Sequence, residues 1–278
     1  KMYEHAASKI FHVDIDDVTK EQRFLGKISE LACGYGGGSG AFRIMAEAYG
    51  ADISKGDGEK IKREWRTANP KITAYWKLVE SAAVDAILKR KKYTALGVEF
   101  VVKNNFLWCK LPSGRPLAYH RPDVISKRLL CYTHPGEGDC PDMQVLYSEI
   151  DHGSVASFVE EARHHGEKPT PFIVPQIDFW GVNSKTRKWS AQDTYGGKLV
   201  ENICQAASRD VMAESMLLLE EAGYKIVLTV HDEIIVEVDK DDETKSVEDF
   251  TNIMETVPSW AAGLPIKVEA YEADRYRK

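Results

Sequence analysis

Apolar residues recur at three- and four-residue intervals along Ile72, Tyr75, Trp76, Val79, Ala83 and Ile87. That spacing marks one face of a helix and predicts helix over 72–91. Related patterns predict helices over 41–49 and 58–68. Thr19-Lys20-Glu21-Gln22 has capping-box spacing, and Gly36-Gly37-Gly38 supplies a terminator, so a helix of about four turns is expected over 20–35. The first third of the chain is therefore expected to be helical.

From Tyr93 the texture becomes β-type. Strands are expected over 94–103, 106–111 and 117–120, with Pro112-Ser113-Gly114-Arg115 as turn chemistry. Residues 126–180 alternate polar turns with short aromatic strands and one brief helix near 155–165. After Thr194 a long helix is expected over 197–222, stopped by Gly223. Two β-rich runs follow, 224–230 and 234–238, with His231, Asp232 and Glu233 between them. A helix over 241–256 and a closing strand over 266–269 complete the expected helix-on-sheet layer.

Composition adds bounds. The 278 residues carry a net charge of −6, with 43% hydrophobic and 29% charged residues, the balance of a globular chain of one or two domains. No apolar run is long enough to span a bilayer, and the start lacks the apolar stretch of a signal peptide, so a cytoplasmic location is expected. A Lys precedes the first Met, which suggests a start inside a longer product. The five cysteines, Cys33, Cys109, Cys131, Cys140 and Cys204, are scattered without a C-x-x-C pair, which favours reduced thiols over a disulfide framework or zinc site.

Two constellations carry candidate chemistry. Asp232 and Glu233 sit at a hairpin tip, where a turn lets adjacent carboxylates share a site that a regular strand would split between its faces. Hard oxygen donors without a Cys or His cluster suit Mg²⁺ bridging to phosphate; a merely solvated tip is the plainer alternative. On the capped helix, Arg23, Lys27, Leu31 and Tyr35 are spaced by four and form one slowly drifting stripe. Such a face could hold nucleotide phosphates with its cations and meet a base or sugar with its ring; a solvated basic face with Leu31 and Tyr35 in the core is the alternative. Gly26 and Gly34 inside this helix point to close approach by something.

Arg23-x-x-x-Lys27-x-x-x-Leu31-x-x-x-Tyr35-Gly36 resembles the fingers-helix motif of family A DNA polymerases, and Val230-His231-Asp232-Glu233 resembles their palm hairpin, in the family's order. Residues 68–76 and 111–115 resemble intervening segments, and 180–182 through 205–210 resemble the phage-type branch. The resemblance implies an α+β fold: a helical fingers subdomain over 1–93, a β-rich segment over 94–193 with an insertion at about 126–178, and a palm with a small antiparallel sheet and long helix over 194–278.

It also implies roles. Arg23 and Lys27 contact the triphosphate of an incoming dNTP, Leu31 its sugar, and Tyr35 the nascent pair, while His231 lies near the primer end. Asp232 is a metal ligand with Glu233 supporting it; Gly36, Asn202, Gln205 and Arg209 face DNA. The implied activity is template-directed DNA synthesis by two-metal nucleotidyl transfer, with two Mg²⁺ ions, primer-template DNA and dNTP as partners, and Lys27 neutralising developing charge. Localisation would be the host cytoplasm if the chain is phage-encoded.

Two departures qualify this. Leu31 stands where Phe or Tyr is usual. The palm strand bearing a further metal-binding Asp, which precedes the fingers helix in the family, fits nowhere in residues 1–22; Asp14, Asp16 and Asp17 read as cap and turn residues. The thumb is also missing. The chain is thus expected to be a C-terminal portion, inactive alone and needing an upstream segment or companion polypeptide. A single-subunit RNA polymerase portion is a rival, disfavoured by Glu233 where that group has Ser. A non-catalytic nucleic-acid-binding or assembly subunit is another.

Overall fold

A computed structural model of the chain describes residues 1–134, 142–146, 159, 160, 162–164, 168 and 170–276, with backbone alone at 55, 128–134, 142–146, 170 and 172. Five helices come first: α1 (Met2–Phe11), α2 (Lys20–Cys33), α3 (Ser39–Ala48), α4 (Lys55–Ala68) and α5 (Pro70–Lys89). A sheet follows, built from β1 (Tyr93–Ala95), β2 (Val98–Lys103), β3 (Phe106–Lys110), β4 (Pro116–His134), β5 (Asp142–Leu146), β6 (Thr170–Val182) and β7 (Trp189–Thr194). The chain ends with α6 (Gly196–Glu221), the hairpin β8 (Lys225–Val230) and β9 (Glu233–Glu237), and α7 (Val247–Met254). This is an α+β fold.

Local chemistry explains the boundaries. Thr19 accepts from the Gln22 N–H while the Gln22 side chain accepts from the Thr19 N–H, so the expected capping box opens α2. Ser54 caps α4, Pro70 occupies the first turn of α5, and Gly223 at φ +81° ends α6. The strand expected over 94–103 is instead a tight hairpin, because Leu96 and Gly97 both adopt positive φ and fold β1 back on β2.

The all-antiparallel sheet runs β1-β2-β3-β4-β6-β7, with β5 also on β4. The long β4–β6 ribbon spans part of the expected insertion; residues 159, 160 and 162–164 are helical, and the rest of the expected 155–165 helix lies outside the described residues.

One core joins helices and sheet. Ile28, Cys33, Phe42, Trp65, Trp76, Val79, Phe100, Leu107 and Leu199 are buried together, and the Trp65 and Trp76 rings stack at 5.9 Å. Burying such side chains contributes roughly 1.5–3 kcal/mol each. Trp65 Nε1 donates to Glu30 at 3.0 Å, and burial pushes the Glu30 carboxyl up from its ordinary value.

Two expectations at the C-terminal end are corrected. The 241–256 helix begins only at Val247, capped by Ser246, after a turn in which Asp242 accepts from Thr244. Residues 266–269 form no strand. Glu255 takes the Val268 N–H and the Lys267 ammonium, so a donor needed for pairing is already used. The hairpin β8–β9 is thus a separate two-stranded sheet. Its Val227 and Leu228 are about half exposed.

Candidate functional site

The basic stripe lies on the outer side of α2, because Ile28, Ser29, Ala32 and Cys33 turn the opposite side into the core. Arg23 is held by α1: its Nε donates to Glu4 at 2.7 Å, and its guanidinium stands 5.6 Å from the Tyr3 ring. That hydrogen bond holds the Glu4 carboxyl below its ordinary value. Lys27 is partly buried, with Nζ 5.3 Å from the Tyr49 ring centre. Leu31 is 44% exposed, an apolar side chain left open beside two cations, not the core residue of the plainer reading. Gly26 is explained by the chain itself: a Cβ there would lie 2.4 Å from the Tyr3 carbonyl oxygen, so the close approach is that of α1.

Past the helix, Gly34 has ordinary helical angles and Gly36 takes φ +83°. Tyr35 and Gly36 then rest on the start of α6. A Cβ at Gly197 would stand 2.1 Å from the Tyr35 carbonyl oxygen, and one at Gly36 3.1 Å from the Tyr195 ring. Burial, with the Cys204 thiol hydrogen-bonded alongside, raises the Tyr35 phenol. Two residues the sequence did not single out, Arg66 and Glu80, hold this joint together with Trp76 of the apolar face of α5. Arg66 of α4 donates to the carbonyls of Gly36 and Gly37 at 3.5 and 3.3 Å. Glu80 of α5 accepts from the Gly196 N–H at the start of α6, where Tyr195 provides no side-chain cap, and burial raises its carboxyl. Trp76 offers the carbonyl against which Gly196 packs, since a Cβ there would come within 2.1 Å.

The acidic hairpin turns on His231 and Asp232 alone. His231 has φ +54°, and Glu233 already pairs with Val230 as the first residue of β9, which corrects the three-residue tip. Asp232 is exposed. Glu233 accepts from the Tyr276 hydroxyl at 2.9 Å, and that bond to a carboxylate raises the Tyr276 phenol. Tyr276 sits far along the chain and carried no local signal.

On α6, Asn202 donates to the Tyr119 hydroxyl at 3.0 Å, which ties it to the sheet, while Gln205 and Arg209 are exposed. Gln205 donates to Glu201 at 3.1 Å. The turn at Ser113 and Arg115 is anchored to α6, with Arg115 bonding Asp210 at 2.5 Å and the Ala206 carbonyl at 2.9 Å. Among the described residues no hydrogen bond or ion pair joins the α2 stripe to the hairpin; α6 is the element that touches both.

As for metal, no cluster of three or more His, Cys, Asp or Glu is found among the described residues. Asp14 accepts from the Asp16 N–H as a turn cap and Asp16 pairs with Lys1, so neither joins Asp232 and Glu233. Two carboxylates with water fit one hard cation; they do not fit a bridged pair. Burial pushes the Cys33 thiol up to about 11 and the Cys109 thiol up to about 12, which disfavours the reactive thiolate at these two positions. Lys89, Arg90, Lys91 and Lys92 form a basic run, which Lys89–Asp85 and Lys92–Glu99 pairs partly neutralise. No helix among the described residues is long and apolar enough to cross a membrane.

Comparison with known proteins gives a sequence relative and several structural likenesses. The chain is 35% identical over 282 residues to the DNA polymerase of Bacillus phage SP02, a match that covers 100% of the chain and 36% of that polymerase. The chain thus spans little more than a third of the relative's length. The polymerase domain of Pol1 from M. smegmatis, solved with DNA primer-template and dNTP, is similar over 92% of this chain and 30% of its own, at 15% identity and a TM-score of 0.45. No protein-family profile matches.

Proposed function

We propose that the chain is the nucleotide- and primer-handling portion of a template-directed DNA polymerase, incomplete by itself. The observation that carries this is the end-to-end match to a phage DNA polymerase in a chain whose cationic stripe on the outer side of α2 precedes an exposed acidic turn at β8–β9. In this reading Arg23 and Lys27 bind the phosphates of a dNTP, with Arg23 exchanging Glu4 for the ligand. Tyr35, fixed by the glycine joint, presents its ring at the template side, and exposed Leu31 lies against the sugar. Gln205 and Arg209 face the duplex from α6, with Asn202 and Gly36 behind them. His231 stands by the primer terminus.

Asp232, free of a competing partner among the described residues, would hold Mg²⁺ with Glu233, which the Tyr276 hydroxyl orients. The ion would supply activation of the primer hydroxyl and charge neutralisation at phosphate. Because two carboxylates alone stand at this site among the described residues, a further one would come from an upstream segment or companion polypeptide. The half-exposed Val227 and Leu228 of the hairpin offer apolar surface for such a segment to cover. Fingers, β-rich and palm boundaries at about 93 and 193 follow from this reading, as does a place in the cytoplasm of the host.

The test is primer extension with Mg²⁺, using the chain mixed with an upstream segment that carries the missing carboxylate strand. Extension only in the mixture is expected. Asp232→Ala should then abolish extension, a loss beyond about 10²-fold, while duplex affinity stays nearly unchanged; wild-type rates in that variant would reject the metal assignment. The same two-carboxylate count also favours a second reading, a non-catalytic DNA-binding subunit. Duplex binding with no extension in any mixture would select it.

A further inference from the structure

The sheet has two faces of opposite character. Leu107, Cys109, Tyr119 and Ile177 are buried on the inner face, toward α5 and α6. The register sets Phe106 opposite His120, Trp108 opposite Ala118, His120 opposite Trp180, and Val182 opposite Trp189. Partners across a ladder share a face, so these residues line the outer one. The rings of Trp108, Phe106, His120 and Trp189 form a continuous run: Phe106 lies 5.4 Å from Trp108 and 4.9 Å from His120, and His120 lies 5.7 Å from Trp189. Trp180 is 39% exposed and Trp189 56% exposed.

Charge singles out the same region. The segments 103–108, 118–121 and 181–189 hold Lys103, Arg121, Lys185, Arg187 and Lys188 and no carboxylate, in a chain of net charge −6. All five cations are exposed, and among the described residues none is in an ion pair. Asp178 and Asp193 lie opposite one another on the same face, at its end away from the 183–188 turn. The exposed tryptophans at the turn end, next to unpaired cations, match the chemistry of a single nucleic-acid strand, whose bases stack and whose phosphates need neutralising.

We propose that this outer face binds single-stranded DNA, with Trp180 and Trp189 stacking on bases and the five cations meeting phosphates. The identity of the strand as unpaired template rests on the polymerase reading. Strand β7 runs from Trp189 to Thr194, and the next residue, Tyr195, packs on Gly36 beside Tyr35. Six residue steps at about 3.3 Å set the platform about 20 Å from that turn, within reach of a few unpaired nucleotides.

The experiment uses the full chain and a labelled oligothymidylate, read by fluorescence anisotropy and by quenching of tryptophan emission. Trp189→Ala and Trp180→Ala should each weaken binding by about tenfold. Trp189→Phe should restore most of the loss, since a phenyl ring still stacks on a base, and thermal unfolding of Trp189→Ala should match wild type, which a merely structural role for the ring would not predict. The triple change Lys185→Glu, Arg187→Glu, Lys188→Glu should remove binding and flatten its salt dependence. Affinity for a primer-template with an overhang should fall in Trp189→Ala, while affinity for blunt duplex should not. Oligothymidylate binding that is absent, or equal in Trp189→Ala and wild type, overturns the proposal. Binding that behaves as described while every primer-extension mixture fails supports the platform and rejects the polymerase reading alone.

Discussion

Replacing Gly197 with alanine tests the joint between α2 and α6. An alanine in place of a helical glycine ordinarily stabilises by about 0.5–1 kcal/mol. Here the added Cβ would stand 2.1 Å from the Tyr35 carbonyl oxygen, 2.6 Å from its carbon and 2.9 Å from the Tyr195 ring. Two of those atoms are backbone, so relief requires one helix end to retreat by about 1 Å. Overpacking of this kind costs about 1–3 kcal/mol. Less the propensity gain, the net expectation is a loss of about 1 kcal/mol, or about fivefold in the folded-to-unfolded ratio. Gly40 of α3 is the control, because a Cβ there meets nothing within 4 Å and should give the ordinary small gain. Urea unfolding followed by far-UV circular dichroism compares the two variants with wild type. A Gly197→Ala chain as stable as wild type would show that the joint is loose and would refute the argument.

The half-buried Glu30 carboxyl titrates above its ordinary value, so its stabilising contribution is complete below about pH 4 and is lost as pH rises through the raised value. Glu30→Gln, which keeps an acceptor for Trp65, should therefore gain thermal stability over wild type as pH goes from about 4 to 7; a pH-independent difference would contradict this. Glu4→Gln should loosen the hold on Arg23 and tighten binding of inorganic tripolyphosphate up to about fivefold, the scale of an exposed ion pair. Isothermal titration calorimetry reads this, and unchanged affinity would count against Arg23 as a phosphate contact.

Much of the fold was legible because its signals are local. The Thr19–Gln22 box, the apolar face of α5 and Gly223 each act within one turn of helix, and the structure follows them. What sequence missed depends on distant partners. Helix α1 carries only Ala6, Ala7 and Ile10 as a buried face, and its place against α2 is permitted by a glycine some twenty residues on. Residues 266–268 have strand composition, yet Glu255 captures their backbone. The hairpin shortened to two turn residues because His231 accepts positive φ, a conformation that its identity does not announce.

The candidate site shows the same division. The stripe and the acidic pair could be read from spacing. Arg66, Glu80 and Tyr276, which hold these groups in place, come from other elements and leave no pattern near the residues they serve.

Helix α6 acts as a spacer with an angular phase. Its 26 residues span about 39 Å. Its first turn is locked to the Tyr35 end, and its last leads directly into the acidic hairpin. One residue inserted near the middle would advance the hairpin by only about 1.5 Å yet swing it by about 100° around the rod. Substitutions on its outer side should be tolerated where single insertions and deletions are not. Descent in this segment is thus expected to conserve residue count more strictly than residue identity.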